Sequence, residues 1–237
     1  MLKRTATEPR RAAPTAARPD RKQAILLAAE KLFAQHGYHA VTIRQIAEEA
    51  GVPLALVGYH HGQKHELFEA IFAHWNQTIE ERLTGLQQAV DRTPANQRLP
   101  LIVDAFVQPV LRLRASVEGE YYALLVAREL HHAREETDRV LRTYFDPLAR
   151  AFIDALQSLA PKASRAEVAW AYQFMLGALV HHLSDSRIER LSDGQSQTAD
   201  PAAAPLLTRF LVGGIEAALG IPAHPPTPRK TTSRRPA

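Results

Sequence analysis

The sequence predicts an all-α protein, with a small amino-terminal unit of three helices followed by a larger helical domain. Apolar residues recur at helical spacing along most of the chain. Proline and glycine separate these periodic stretches, and no stretch of useful length shows the alternation that is typical of a strand. Because 46% of the residues are apolar, the chain can bury a core and is expected to fold.

Composition narrows the class of protein further. The sequence has no cysteine, which excludes disulfides and thiolate metal sites and fits a reducing cytoplasm. Residues 1–20 lack the apolar segment of a secretory signal, and no uninterrupted apolar run approaches the roughly 18 residues needed to span a bilayer. The net charge of +4 is consistent with a polyanionic partner. We therefore expect a cytoplasmic protein without a membrane partner.

The first helix is predicted over residues 20–35. Leu32 and Phe33 lie on its apolar face, Asp20 is a suitable N-cap, and Gly37 follows the last periodic residue. Two short helices alone cannot bury a core, so this helix is expected to supply the missing apolar layer for the segment that follows it.

Residues 42–64, with the sequence TIRQIAEEAGVPLALVGYHHGQK, are predicted to form two short helices joined by a tight turn. Thr42 and Gln45 have the spacing of a capping box. Gly51 follows the last periodic residue, where a left-handed backbone allows a sharp turn, and Pro53 suits the first turn of the next helix. This arrangement is typical of a DNA-binding helix-turn-helix.

A second, helical domain is predicted over residues 66–220, after a DNA-binding domain at 20–65. Its helices are expected at 64–90, 101–114, 121–132, 135–159, 166–188 and 206–219, with polar breaks at 91–100 and 192–205. Pro109 should kink or end the second of these helices, and Ser164 with Glu167 matches a capping box. The helix at 166–188 is apolar almost all round, so the core or a partner chain should cover more than one side of it.

Basic residues crowd both ends of the chain. Residues 1–19 and 221–237 are rich in Pro, Ala and Thr and have little apolar periodicity, which predicts disordered basic tails. The amino-terminal arm has two open interpretations. It is either a solvated, solubilising end or an added contact with phosphates or the minor groove.

A helix before a helix-turn-helix, then a Tyr-His pair, a Lys a few residues on and a variable helical domain resemble the TetR family of transcriptional regulators. The matching span is about residues 22–72, and it contains FAQHGYHAVTIRQIAEEAGV and GYHHGQKHELF. In the second domain, FVQPVLRL and FMLGALVHHL are similar to the PsrA-type branch, in which members similar in sequence respond to fatty-acid or acyl-type ligands.

The resemblance implies a homodimer whose amino-terminal domains occupy successive major grooves of a palindromic operator in double-stranded DNA. It also implies that the carboxyl-terminal domain holds a small molecule, which changes the spacing of the two DNA-binding domains. In such families the last two long helices pair across the dimer axis, and here these would be 166–188 and 206–219. The alternative from the residues alone is that both helices are internal core.

Candidate DNA contacts lie on the helix-turn-helix and just beyond it. Thr42, at a helix start, offers its hydroxyl and a free backbone N–H to a phosphate, and Arg44 can reach a guanine edge or a phosphate. The recognition helix itself is apolar, so shape readout and Arg44 are expected to carry more of the specificity. The residues predicted to contact DNA are Thr42, Arg44, Pro53, Leu54, Ala55, Gly58, Tyr59, His60 and Lys64.

Two positions depart from the family pattern. Gly58 stands where relatives often carry an aromatic residue, and His61 stands where they often carry Phe. Gly58 costs roughly 1 kcal/mol of helix propensity relative to Ala, so we expect it to let the backbone approach DNA.

Aromatic and polar side chains are candidates for a ligand pocket between the helices of the second domain. Among them, Arg128 could form a forked contact with a carboxylate or phosphate head group. The residues predicted to line the pocket are Trp75, Phe106, Tyr121, Tyr122, Arg128, His132, Tyr144, Phe145, Tyr172, Phe174 and Met175. The alternative for most of them is plain core.

No metal, cofactor or enzymatic activity is expected. His61 and His65 have the i, i+4 spacing of a zinc-binding pair, but no third ligand is evident. The sequence lacks GxSxG, P-loop, dinucleotide-binding and HExxH motifs.

Taken together, these features predict a repressor that is released from its operator by a small hydrophobic molecule, with a fatty acid or acyl-CoA as the first guess. The alternatives are a ligand-dependent activator, a helical protein-interaction module without specific DNA binding, and a helical enzyme that handles acyl compounds.

Overall fold

The computed structural model describes residues 20–131 and 135–222, and in these ranges the chain is helical and contains no strand. This confirms the predicted all-α fold. The predictions for residues 1–19, His132 and 223–237 lie outside the described residues. The helices are α1 (Arg21–His36), α2 (Ile43–Glu49), α3 (Leu54–His61), α4 (Lys64–His74), α5 (Asn76–Arg92), α6 (Arg98–Ala115), α7 (Glu120–His131), α8 (Glu135–Val140), α9 (Asp146–Leu159), α10 (Arg165–Ser184), α11 (Arg187–Leu191) and α12 (Ala204–Leu219).

A first hydrophobic cluster joins α1–α4 to α7. Phe33, Phe68 and Phe72 are buried at its centre, with ring centroids 5.6 Å apart for Phe33 and Phe68 and 5.1 Å apart for Phe68 and Phe72. Tyr122 and Leu125 of α7 belong to the same cluster. The helix-turn-helix unit therefore shares its core with a helix of the second domain.

A second hydrophobic cluster is formed by α5, α6, α9, α10 and α12. The Phe106 ring lies at its centre, 5.1 Å from the Phe152 ring and 5.6 Å from the Tyr172 ring between centroids. Helices α5 and α6 approach closely where Gly85 faces Ala105, because a Cβ at position 85 would lie 3.1 Å from the Ala105 Cβ.

The prediction of one helix over residues 64–90 is wrong at Trp75, where α4 ends and α5 begins. The Trp75 indole N–H donates to Glu30 Oε2 at 2.7 Å, and its ring stacks on Tyr122 with centroids 5.5 Å apart. Both contacts hold Trp75 against the first cluster, whereas α5 packs in the second. The change of helix at Trp75 coincides with these tertiary contacts, since no Gly or Pro occurs there.

Other predicted boundaries also shift. Pro109 does not end α6, which runs through it from Arg98 to Ala115 and buries the proline in the core. A π-helical segment, Leu141–Phe145, separates α8 from α9 within the stretch predicted as one helix. The helix predicted at 166–188 ends at Ser184, and the short α11 follows it. The predicted breaks contain 3-10 turns at Ala95–Gln97 and Pro201–Ala203.

Candidate nucleic-acid interface and effector cavity

The predicted capping box forms at the start of α2. The Thr42 N–H donates to Gln45 Oε1 at 2.8 Å, and the Gln45 N–H donates to Thr42 Oγ1 at 3.3 Å. The backbone N–H of Thr42 is therefore not free, contrary to the prediction. A phosphate at this helix start would instead meet the amides of Ile43 and Arg44, since the first amides of a helix have no intrahelical acceptor. The Arg44 side chain is exposed beside them.

Helix α3 has an inward and an outward face. On the inward face Val57 is fully buried, and His61 is 9% exposed and donates its Nε2–H to the Lys22 carbonyl at 2.9 Å. On the outward face four residues predicted to contact DNA are exposed at positions i, i+1, i+4 and i+5: Leu54, Ala55, Gly58 and Tyr59. Tyr59 is 81% exposed. The helix therefore presents a continuous surface that its own fold does not use.

The remaining residues predicted to contact DNA border this outward face. Pro53 is exposed just before α3, and His60 is half-buried with its ring edge-on to Tyr59 at 5.1 Å between centroids. Lys64 is half-buried at the start of α4, and its Nζ lies 4.4 Å from the Tyr38 ring centroid. Position 58 is open, because no atom lies within 4 Å of where a Cβ would be. Packing within the chain thus does not require Gly58.

A cavity of about 60 Å³ lies where the two hydrophobic clusters meet. Its walls come from α5, α6, α7, α9, α10 and the π-helical segment, and they are mostly apolar. Tyr122 and Phe145, both predicted as pocket residues, line it. Tyr172, another of the predicted pocket residues, also lines it, and so does Arg82, which is not among them.

The polar groups of this cavity are strongly desolvated. Burial lowers the pKa of the Arg82 guanidinium to about 10, so it stays protonated at neutral pH. Burial raises the pKa of the phenols of Tyr122 and Tyr172, so both stay neutral hydroxyls. The cavity therefore holds a positive charge and neutral hydrogen-bonding groups in apolar surroundings.

The other predicted pocket residues lie elsewhere in the fold. Four of them pack in or against the two hydrophobic clusters without lining the cavity: Trp75, Phe106, Tyr144 and Met175. Phe174 is 64% exposed on α10, and Tyr121 and Arg128 lie on α7 outside the cavity lining. Their predicted role as ligand contacts stays a prediction, as does that of His132.

Arg128 connects α7 to the end of α1. Its guanidinium donates to the carbonyl oxygens of Gln35 at 3.4 Å and His36 at 3.3 Å, where a helix leaves acceptors unpaired. Gly37 makes room for this contact, since a Cβ there would lie 2.9 Å from the Arg128 Nε, and its φ of +85° favours glycine. Helix α7 thus contacts both the cavity and the helix-turn-helix unit.

Glu30 forms a second connection, which sequence reasoning missed. It lies on α1 with 1% of its surface exposed and accepts the Trp75 hydrogen bond described above. Burial raises the pKa of its carboxyl from 4.5 to about 7, and the bond from Trp75 only partly offsets this. Glu30, Trp75 and Tyr122 therefore form a continuous path of contacts from α1 to the cavity wall.

Helices α10 and α12 share an exposed apolar face. Its large side chains are Trp170, Phe174, Leu206 and Phe210, each between 61% and 69% exposed. Trp170 and Phe174 stack with ring centroids 5.7 Å apart, and a groove of about 280 Å³ runs between the two helices. By length and composition alone, Pro201–Leu219 could cross a membrane, and an 18-residue stretch of it is 17% buried. An apolar surface of this kind is typical of an interaction site.

Family models match both parts of the chain. The model described as bacterial regulatory proteins of the tetR family matches residues 25–71. The model described as the Tetracyclin repressor-like, C-terminal domain matches residues 104–214. The chain belongs to the TetR family.

Individual TetR-family relatives share only limited sequence identity with this chain. The transcriptional activator FasR of Mycolicibacterium smegmatis is 34% identical over 90 residues, which span 38% of this chain and 40% of FasR. The transcriptional repressor AcnR of Corynebacterium efficiens is 27% identical over 164 residues, which span 62% of this chain and 87% of AcnR. The fatty acid degradation regulator FadR of Bacillus halodurans shares the fold, with a TM-score of 0.55 and 18% identity over 84% of this chain and 98% of FadR.

Membership of the TetR family confirms that the chain is a DNA-binding transcriptional regulator and not an enzyme. Its assignment to the PsrA-type branch stays a prediction. Among the described residues, no group of three His, Cys, Asp or Glu side chains could hold a metal ion. The Nε2 of His61 is already bonded to a carbonyl, so His61 has a structural role.

Arg82 is a charged cavity residue that sequence reasoning missed, yet the sequence contains a signal for it. Arg82 interrupts an otherwise apolar stripe on α5, which consists of Ile79, Arg82, Leu86 and Ala89 at spacings of three and four residues. All four are buried. An arginine within such a stripe lies on the face that turns inward.

Proposed function

We propose that this TetR-family chain is a cytoplasmic repressor that binds a palindromic operator as a homodimer and is released by a small hydrophobic molecule. The outward face of α3 carries the proposal, since it leaves apolar residues exposed, and the Arg44 side chain on the preceding helix is exposed as well. Leu54 and Ala55 suit contacts with thymine methyl groups, and Arg44 suits a guanine edge or a phosphate. Tyr59 with its neighbours would fix the register through phosphates.

The exposed face of α10 and α12 supports the homodimer. A twofold dimer buries the same surface patch on both protomers. An apolar face on two adjacent helices would complete a four-helix bundle with its copy. Trp170, Phe174 and Phe210, which are mostly exposed in one protomer, would then lie in the centre of the interface.

The cavity supports control by a ligand. Ligand pockets typically measure about 300–1,000 Å³, so an effector larger than this 60 Å³ cavity must displace its walls. Helix α7 is one of those walls and bonds to the end of α1 through Arg128. Binding would therefore favour a state in which the two DNA-binding units are respaced. FadR, the structural neighbour described as a fatty acid degradation regulator, makes fatty acids and acyl-CoAs the first class to test.

The test is binding to the intergenic DNA beside the chain's own gene, compared with random duplex, over a series of salt concentrations. We expect the intergenic DNA to bind about a thousandfold more tightly, as a specific operator does. Fatty acids and acyl-CoAs are then screened for release of the bound DNA. Equal binding of both duplexes that collapses as salt rises would contradict the proposal, because it would reflect only phosphate contacts.

A ligand-dependent activator is the second candidate, because FasR is described as an activator whereas AcnR is described as a repressor. Transcription in vitro from the promoter that contains the operator separates the two. A repressor lowers the transcript yield when it is added without effector, whereas an activator raises it in one of its ligand states.

A further inference from the structure

Arg82 is a charged side chain inside the helical bundle. It is 5% exposed, and its guanidinium carbon lies 4.3 Å from the Phe106 ring centroid and 5.9 Å from that of Phe152. These rings attract a cation through their faces. They do not accept hydrogen bonds in the plane of the guanidinium, where its five N–H groups point.

No anion within the described part of the chain balances this charge. None of the salt bridges there involves Arg82, and its buried Nε has no hydrogen-bond partner. Burying an unpaired charge is costly, and proteins normally pair such a group with a counter-charge. A cation in this position calls for an anion that the described part of the chain does not provide.

A second unpaired donor lies in the same cavity. The Tyr122 hydroxyl is buried and has no hydrogen-bond partner among residues 20–131 and 135–222. Tyr122 and Arg82 both line the cavity and are close enough to interact electrostatically. A guanidinium and a phenol hydroxyl together can donate to the two oxygens of one carboxylate. The rest of the lining is mostly apolar, which suits an alkyl chain.

We propose that Arg82 and Tyr122 form a subsite for the carboxylate of the effector. The inference rests on the proposed function, in which this cavity receives the effector, and it specifies the class of ligand as a free carboxylic acid with an apolar tail. An acyl-CoA does not match the subsite, because its thioester has no charge next to the acyl chain.

Calorimetric titration of the full chain with octanoate and with octan-1-ol tests the subsite. The two probes differ in charge and not in chain length. We expect octanoate to bind about tenfold to a hundredfold more tightly, the range for hydrogen bonds to charged groups. Arg82→Met should abolish this preference and leave octan-1-ol binding unchanged. Arg112→Met removes an exposed arginine of α6, which pairs with Glu81, and should keep the preference.

Tyr122→Phe provides an independent test, because it removes one oxygen and retains the buried ring. It should lower the affinity for octanoate severalfold and leave the affinity for octan-1-ol unchanged. If Arg82→Met does not fold, this variant alone tests the subsite. Equal binding of octanoate and octan-1-ol, an unchanged preference in both variants, or octanoyl-CoA binding as tightly as octanoate would overturn the proposal.

The operator experiment separates this inference from the proposed function. Specific operator binding together with equal affinities for octanoate and octan-1-ol would retain the regulator and reject the subsite. A carboxylate preference that depends on Arg82, in a chain that binds random and intergenic DNA equally, would retain the subsite and reject the operator-binding repressor.

Discussion

Arg44 is exposed in the first turn of α2, the helix that precedes α3. We expect Arg44→Ala to weaken operator binding by about 1–3 kcal/mol, the range for a base contact, and to leave thermal unfolding unchanged. Fluorescence anisotropy with labelled operator measures the affinity. Arg150→Ala removes an exposed arginine of α9 and should have no effect. An unchanged affinity for Arg44→Ala would remove this residue from the operator contacts.

Glu30 makes stability depend on pH. The pKa of its buried carboxyl is about 7 in the folded chain, against 4.5 for the ordinary group. Between these values the folded state holds a proton that the unfolded state releases, so the contribution of Glu30 is complete below about pH 4.5 and is lost as pH rises through 7. The free energy of unfolding should fall over this interval by at most about 1.4 kcal/mol per pH unit.

Glu30→Gln isolates this effect, because the amide oxygen still accepts the Trp75 hydrogen bond and does not titrate. Urea unfolding of both proteins across the interval gives the difference in stability. The advantage of the wild-type chain over the variant should shrink as pH rises. A difference that does not vary with pH would show that Glu30 titrates normally.

The site residues differ in how far sequence predicts them. The outward face of α3 follows from the helix-turn-helix pattern alone, because Ala55 and Tyr59, each two residues from Val57, point to the opposite side of the helix. The burial of Glu30 and Arg82 does not follow, because it depends on helices distant in the sequence that pack over them. Charged residues are normally exposed, so residue type alone assigns Glu30 and Arg82 to the surface. A prediction of burial requires more weight on the apolar stripe that surrounds the charged residue.

At the scale of elements, helix starts were predictable where local chemistry sets them. Asp20, the Thr42–Gln45 pair and the Ser164–Glu167 pair all cap helices as their spacing predicts. The junction of α4 and α5 was not predictable, because it depends on a hydrogen bond between residues 45 positions apart. Pro109 shows the converse, since packing in the core retains α6 despite a residue that normally disrupts a helix.

The exposed face of α10 and α12 leads to a prediction about assembly. Phe174→Lys should shift the chain toward monomer, because it places a charge in the centre of the proposed apolar interface. Sedimentation equilibrium measures the dimer dissociation constant, which we expect to rise at least about a hundredfold, as for loss of a hot-spot aromatic residue. Val117→Lys changes an 88% exposed residue between α6 and α7 and should not alter assembly. Two variants with equal dissociation constants would place the interface elsewhere.

At the scale of the whole molecule, Arg128 should transmit the effect of the ligand. Arg128→Ala removes the bonds from α7 to the end of α1, whereas the outward face of α3 stays intact. We expect operator affinity without effector to stay nearly constant. The effector should lower that affinity by a smaller factor than in the wild-type chain. The difference corresponds to a loss of about 0.5–2 kcal/mol of coupling free energy.

Operator titrations with and without the acid found in the release screen measure this factor. Arg112→Ala, on α6 and paired with Glu81 of α5, is the matched control. An Arg128→Ala chain that releases DNA as readily as wild type would show that coupling passes through another contact, of which the path from Glu30 through Trp75 to Tyr122 is the next to test.

The first hydrophobic cluster has a consequence for how operator specificity can be inherited. Tyr122 and Leu125 complete the core around Phe72. A helix-turn-helix unit separated from α7 would therefore expose apolar surface to solvent. Recombination that exchanged only this unit between relatives would join two surfaces that never evolved together. A functional chimaera must carry α7 with its DNA-binding unit, so in this chain a change of target sequence by gene exchange brings part of the effector domain with it.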